Sequence, residues 1–519
     1  MSIKEQYIVT ISPPTPNGDL HLGHLSGPFL AGDIFKKVQL MKGNTALLLC
    51  YSDDHQSYLA RKALQTNTDL ETLAKTNKQL IEQTMAMADL SIDWFMQSFE
   101  NPIFKQCITD YYDLFQQLGM LDRESLSVPY CSHCDVYGYE GFGRGICNHC
   151  NASSDASQCE NCAQVPDINK MGEISCILCE RPMELKQQNR EVVLLDRAFD
   201  KLVTHYKNTV PSSKLGVYLN GIFSQPELAW PIDRPNEIGI NISDSKRIHT
   251  WFSGLAGYKA TLIEYLTSRN ELDQLSALWG NKKTHFAHFF GFDCSFSHAV
   301  VYPAQLLNEA NFSSSVHHYT NAFLQLENGD FSTSRGHAIW IRDCVKEDGG
   351  ADAIRWYLAL NAPINEPTNF SQSSYHRWRD NVFTGFWSLL ENLYTPTKSE
   401  SISPNVWASA ERIRKDWQRV TDVRDFRIDN IANISESLRL MVLDALEKND
   451  RAGARLLGML FIATNAPICT SRVDRFVASS GLDLASVSNW LNGNLSRRYL
   501  YNQYELLCQQ TFTHVVEAV

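Results

Sequence analysis

The chain is predicted to be α/β: a Rossmann-like nucleotide-binding fold split by a cysteine-rich insertion and followed by an α-helical bundle. Three observations carry that prediction. A β-branched strand near the start breaks at consecutive prolines and leads through a helix to a second apolar strand. Four Cys-x-x-Cys pairs crowd residues 131–179. Beyond Ser403-Pro404, apolar residues recur at helical spacing.

The first strand is Tyr7-Ile8-Val9-Thr10-Ile11, ended by Ser12-Pro13-Pro14, which cannot continue a central strand. After Gly18, Ala31, Ile34, Phe35 and Val38 fall on one helical face, and Gly43 separates that helix from the strand Thr45–Cys50. Such a unit winds right-handed with parallel strands, and its ligand crevice lies at the carboxyl end of the first strand. His21 and His24 fall in that crevice, within Asn17-Gly-Asp-Leu-His-Leu-Gly-His24. Three residues apart at a helix start, they share a face with backbone N–H groups and the positive end of the helix dipole, where phosphate is favoured. Gly23 leaves room for a flat ring such as adenine. Imidazole N–H donors aimed at an α-phosphate would stabilise the charge that develops when a carboxylate attacks it. A metal pair or ordinary surface histidines are the plainer alternative, against which the strand-to-helix context argues.

The cysteine pairs are Cys131/Cys134, Cys147/Cys150, Cys159/Cys162 and Cys176/Cys179, eight of the chain's fourteen cysteines. A two-residue gap lets two thiolates grip one tetrahedral ion, so two structural Zn2+ ions are expected. Disulfides need an oxidising compartment, and a redox Cys-x-x-Cys normally occurs once. Nested pairing is expected, inner pairs on one ion and outer pairs on the other, with sequential pairing the alternative. His133 and His149 lie inside the pairs and are expected to be solvated rather than ligands.

At 519 residues the chain exceeds one hydrophobic core, and three or more domains are expected. A formal net charge of −11 argues against a broad phosphate-neutralising surface, though not against a local basic groove. The start, Met-Ser-Ile-Lys-Glu-Gln, has no apolar signal region, and the longest aliphatic run, Ala46 to Cys50, cannot span a bilayer. A cytoplasmic protein without a membrane partner is the expectation. Residues from Thr395 to Pro404 have linker composition. After them Ile431, Ile434, Leu438, Met441 and Ala445 form a stripe expected to be bundle core.

Together these features resemble the class I aminoacyl-tRNA synthetases, and within them the methionyl-tRNA synthetase family. His21-Leu-Gly-His24 is similar to the His-Ile-Gly-His signature, and the cysteine insertion to the family's connective region in its two-zinc form. Trp230-x-Ile-x-Arg234, Trp251-Phe-Ser-Gly-Leu-Ala-Gly-Tyr258, Gly291-Phe-Asp293 and His298 match further family stretches, so the resemblance covers residues 6–395. It implies a catalytic first half over 1–115, a connective insertion over 116–235 with the knuckles at 131–179, and a second catalytic half over 236–325. A stem-contact-like region over 326–395 and an anticodon-domain-like bundle over 396–519 follow. It implies that His21, Gly23 and His24 contact ATP, carried with Mg2+, and that Gly291 and Asp293 receive adenine and ribose. Asp53, just after the second strand, would hold the α-ammonium of an amino acid, a charge-assisted bond that a strand-end carboxylate makes well; a helix-capping role is the plainer alternative. Pro13, Thr15, Trp251, Tyr258 and His298 would surround that substrate.

The departures redirect the expectation. Where the family has Lys-Met-Ser-Lys-Ser before Arg-Gly, this chain has Asp330-Phe331-Ser332-Thr333-Ser334-Arg335-Gly336. Ser332, Ser334 and Arg335 remain as the implied catalytic loop, but both lysines are gone. Losing such a phosphate contact costs about 3 kcal/mol of transition-state stabilisation, by analogy with a deleted oxyanion donor, so slow adenylation is expected. Pro13 and Thr15 replace a Leu and a Tyr, and Gly254-Leu255 replaces Ala-Pro, so methionine is not assumed to be the substrate. Ser388 and Asn392 stand where the family reads the anticodon with Asn and Arg. The expected activity is ATP-dependent formation of an aminoacyl-adenylate with transfer to tRNA. The alternatives are an amide ligase with a small-molecule or peptide amine as acceptor, and a non-catalytic amino-acid or tRNA binder.

Overall fold

The computed structural model describes residues 4–209, 214–234, 239–243, 246–331, 336–394 and 400–509. Its centre is a five-stranded parallel sheet: β1 (Gln6–Ile11), β2 (Thr45–Ser52), β3 (Trp94–Gln97), β4 (Thr284–Gly291) and β5 (Ser315–Asn321), in the order β5-β4-β1-β2-β3. Parallel strands covered on both faces are near-continuously apolar, as Leu47-Leu48-Leu49-Cys50-Tyr51 in β2 illustrates. Alternation along each strand divides the interior. Val9, Ile11, Leu48 and Cys50 face one core, which continues into the helical C-terminal region. Ile8, Leu49, Tyr51 and Met96 face the other, covered by helices Pro102–Gln117 and Ala256–Ser268.

The helix after β1 is not one continuous rod. It runs as α1 (Leu22–His24), a π-turn over Leu25–Phe29, and α2 (Leu30–Met41). Gly27, at φ −102° and ψ −124°, makes the break, and a Cβ there would come within 2.6 Å of the Asn321 side chain. The expected residues Ile34, Phe35 and Val38 are buried in α2.

Between β3 and β4 the chain leaves the sheet through two long antiparallel arms, Leu121–Cys131 and Glu184–Leu194, paired from Leu121↔Val193 to Tyr130↔Glu184. The outer cysteine pairs sit at their far end, whereas the inner pairs fold back towards the sheet, where Ala163 joins the core that holds Ile8 and Tyr51.

The C-terminal helices pack around Arg451–Asn465, in which every residue after Arg451 is buried. Ile431, Ile434, Leu438 and Ala445 are buried beside it and Met441 packs against the same core, as expected. One boundary is less sharp than the sequence implies. Helix Gly385–Leu393, placed before the linker, sets Phe386 and Trp387 on Phe461 at 4.9 and 5.6 Å and so joins the bundle core. A buried ion pair, Arg355–Asp33 at 2.6 Å with both side chains fully buried, ties α2 to helix Gly350–Leu360. Arg355 also donates to the carbonyls of Pro467 and Ile468, joining the bundle to that pair.

Candidate active site

The histidine pair is held by its own backbone. His21 is the N-cap of α1, and its Nδ1 accepts from the Gly23 N–H at 3.1 Å. His24 Nδ1 accepts from the His21 N–H at 3.2 Å, closing a capping box. Because both Nδ1 atoms accept, neutral rings carry their protons on Nε2. Burial holds them neutral: desolvation, then repulsion from His24, lowers His21 to about 2, and desolvation lowers His24 to about 4. Ring centroids stand 4.0 Å apart, leaving two adjacent Nε2–H donors. Gly23 is required here, since a Cβ would lie 2.9 Å from the His21 ring.

Ser332, Ser334 and Arg335, like Thr333, lie outside the described residues. Their neighbours still locate the loop's ends. Phe331 stacks on His21 at 4.9 Å and 13°, and the returning chain bridges Trp340 to His21 while Leu22 N–H donates to Ile339 O. Phe331 was not singled out as a site residue, and only its position in the signature loop could have suggested it.

Asp53 is buried at the end of β2. Its carboxylate accepts from Thr250 Oγ1 at 2.8 Å and Gln56 Nε2 at 2.5 Å, and its N–H donates to Pro14 O, drawing the loop that carries Pro13 and Thr15 alongside. No cation pairs with it among the described residues, and desolvation raises it to about 7 despite those bonds. Asp54 differs in accepting from Gln97, Ser98 and the Phe99 N–H, as a structural carboxylate does. Beyond Thr250, Trp251 is half-buried, and Tyr258 Oη lies 2.9 Å from His298 Nε2. His298 Nδ1 lies 3.2 Å from the Cys294 carbonyl and must donate to it, so Nε2 accepts from Tyr258. Tyr51, two residues before Asp53, packs edge-on against Tyr258 at 5.3 Å.

At the end of β4, a Cβ on Gly291 would collide with Asp293 Oδ1, so glycine lets that carboxylate fold over the strand end. Desolvation raises Asp293 to about 6. Its carbonyl accepts from Gln158 Nε2, and Gln158 immediately precedes Cys159. Across the same seam Ser57 Oγ donates to Glu140 Oε2 at 3.1 Å, Tyr58 Oη donates to Asp155, and Glu140 pairs with Arg234 and His249. The insertion thus rests directly on the strand ends that carry Asp53 and Asp293.

The cysteines form two groups, Cys131/Cys134/Cys176/Cys179 and Cys147/Cys150/Cys159/Cys162, which is the nested arrangement. Sulfur separations of 3.6 Å for Cys131–Cys179, 3.9 Å for Cys147–Cys162 and 3.6 Å for Cys150–Cys159 are far longer than a disulfide. They match the ~3.8 Å edge of a tetrahedron with ~2.3 Å Zn–S bonds. Each knuckle also ends on a left-handed residue, Asp135, Asn151, Ala163 and Glu180, with φ of 53°, 61°, 61° and 60°. The residues present fit two structural Zn2+ ions. His149 Nε2 contacts the Val165 carbonyl instead of the cysteines. Ser388 and Asn392 are exposed one turn apart, with Asn392 Nδ2 donating to Ser388 O.

Comparison with known proteins places these features. The family model described as tRNA synthetases class I (M) matches residues 7–384. The methionine–tRNA ligase of Methanobrevibacter smithii is 24% identical over 375 residues, covering 71% of this chain and 56% of its own length. That of Pyrococcus furiosus is 26% identical over 386 residues, covering 70% and 53%. The chain therefore spans little more than half the length of these relatives. Among solved structures, Mycobacterium tuberculosis methionyl-tRNA synthetase in complex with methionyl-adenylate superposes with a TM-score of 0.69 at 15% identity, covering 94% of this chain and 96% of that one. The fold is shared.

Proposed function

The chain belongs to the class I tRNA synthetases of the M type, and from that premise we propose that it activates an amino acid as an aminoacyl-adenylate and transfers the acyl group to tRNA. The observation that carries this reading is the neutral His21–His24 pair at the helix start after β1, together with a buried carboxylate at the end of the adjacent strand β2, Asp53, that pairs with no cation among the described residues. In the first step the substrate carboxylate attacks the α-phosphorus of ATP, which enters as its Mg2+ salt, and pyrophosphate leaves. The Nε2–H groups of His21 and His24 donate to the α-phosphate oxygens, whose charge grows in the transition state. Donors already oriented by Gly23 and His21 N–H groups need no reorganisation. Asp53 takes the α-ammonium, Asp293 the ribose hydroxyls, and Gly291 the adenine edge. In the second step a ribose hydroxyl of tRNA attacks the acyl carbon and AMP leaves. Zn2+ bound by the two cysteine sets would brace the insertion, and no step of the chemistry passes through it.

One observation favours a second acceptor, an amine on a small molecule or peptide. Residues 400–509 carry fourteen Lys and Arg against thirteen Asp and Glu. Many of those cations are matched locally, as in Arg424–Asp422, Arg427–Asp429, Arg439–Glu436 and Lys448–Asp444. A phosphate-binding groove needs unmatched cations. ATP–pyrophosphate exchange over a panel of amino acids, with and without total tRNA, tests both readings. Exchange followed by acyl transfer to tRNA supports the first, and exchange without transfer supports the second. Absence of exchange under all conditions overturns both.

A further inference from the structure

Behind the wall formed by Tyr258 and His298 lies a buried group of polar rings that the adenylation chemistry does not use. Tyr302, His288 and His318 are 1, 1 and 3% exposed. Tyr258 stands 5.1 Å from His288 and 5.2 Å from Tyr302, His288 and Tyr302 are 5.0 Å apart, and His318 follows 5.7 Å from His288. In each of the three, one polar atom has no hydrogen-bond partner among the described residues: Tyr302 Oη, His288 Nε2 and His318 Nε2. An isolated orphan of this kind costs about 1–3 kcal/mol, so a ligand group that hydrogen-bonded to these rings would be favoured.

The partners these atoms lack can be worked out. Tyr206 Oη donates to the Ala299 carbonyl at 2.7 Å, so it accepts from His318 Nδ1 at 3.3 Å, leaving His318 Nε2 as a bare acceptor. Tyr302 Oη is free both to donate and to accept. His288 Nδ1 is engaged by Thr10 Oγ1, and its Nε2 donates or accepts as that hydroxyl turns. The group therefore offers at least one acceptor and one donor, which matches a side chain bearing both. A charged side chain is disfavoured: Asp53 is committed to the ammonium, and Glu309 is already held by Lys259 at 2.9 Å and Trp279 Nε1 at 2.8 Å. A thioether or hydrocarbon would leave all three orphans in place.

Resting on the adenylation reading, we propose that the amino acid this protein activates carries a neutral hydrogen-bonding side chain, a carboxamide in the best-fitting case, read by Tyr302, His288 and His318. Tyr258 touches His288 and Tyr302 on one side and Tyr51, two residues before Asp53, on the other, so it links that group to the strand end that carries Asp53. Pro13 and Thr15, where the family has Leu and Tyr, flank Pro14, whose carbonyl accepts from the Asp53 N–H.

The test is ATP–pyrophosphate exchange with the full chain across the twenty amino acids, with glutamine against methionine and asparagine against leucine as near-isosteric pairs. The expected result is a best substrate with a neutral polar side chain, favoured at least 100-fold in kcat/KM over its apolar partner. Tyr302→Phe or His288→Gln, each checked for an unchanged thermal melt, lowers that ratio at least tenfold. Preference for methionine or leucine overturns the proposal while leaving adenylation standing, as does a polar preference that neither variant weakens. No exchange with any amino acid overturns adenylation and this proposal together.

Discussion

Replacing Asp53 with Asn separates the charge of this residue from its shape. The amide keeps the volume between Thr250 and Gln56 but offers an arriving ammonium no countercharge. A carboxylate–ammonium contact at about 3 Å in a medium of effective dielectric ~20 is worth about 5 kcal/mol before desolvation. Taking about 3 kcal/mol as the surviving share, kcat/KM for the amino acid falls about 100-fold, with little change in KM for ATP. The pH dependence follows from burial. Because desolvation lifts the wild-type carboxyl to about 7, it is protonated below that pH, and the amino-acid KM rises as pH falls from 7 towards 5. In Asp53→Asn that dependence vanishes. Stability runs the other way. A carboxyl raised from its ordinary range favours the folded state fully below about pH 4, and that contribution is lost as pH rises through about 7. The ligand-free variant is therefore expected to melt above wild type at pH 8, and the gap to close near pH 4. Steady-state exchange kinetics from pH 5.5 to 8.5 and melting curves on both proteins are the assay. An unchanged amino-acid KM in Asp53→Asn, or the same pH profile in both proteins, would refute the reasoning.

Three further predictions concern the surroundings of the site. Gln158→Ala removes the insertion's hydrogen bond to the Asp293 carbonyl and should raise the KM for ATP several-fold while leaving the zinc content at two per chain, read by atomic absorption. Phe331→Ala uncovers the His21 ring; pre-steady-state adenylate formation should change in rate while amino-acid affinity in equilibrium dialysis does not. Asp33→Ala leaves Arg355 buried and unpaired and should destabilise the protein by about 3–5 kcal/mol in urea unfolding, although Asp33 touches none of the proposed substrate groups.

The parts legible in the sequence are those whose chemistry is local. His21 and His24 organise each other over four residues, and the repeated Cys-x-x-Cys gap already describes half a tetrahedral site. The β1–helix–β2 unit was legible for the same reason, because strand, proline stop and helical stripe are all short-range patterns. What escaped depends on contacts between distant segments. Gln158 meets Asp293 across 135 residues, and Arg355 meets Asp33 across 322. The close approach that excludes a side chain at Gly27 comes from Asn321 on β5, and helix Gly385–Leu393 joins the bundle because Phe461 offers a face to Phe386 and Trp387. The orphan atoms of Tyr302, His288 and His318 are invisible in sequence, since an unmet hydrogen bond is a property of packing.

Single-turnover reaction of stoichiometric enzyme with α-labelled ATP and each amino acid, quenched in acid and resolved for acyl-AMP, tests the central claim most directly. The account predicts amino-acid-dependent acyl-AMP in wild type, formed at least 100-fold more slowly in His24→Ala. Absence of acyl-AMP with every amino acid, or formation unaltered in both His21→Ala and His24→Ala, would contradict it.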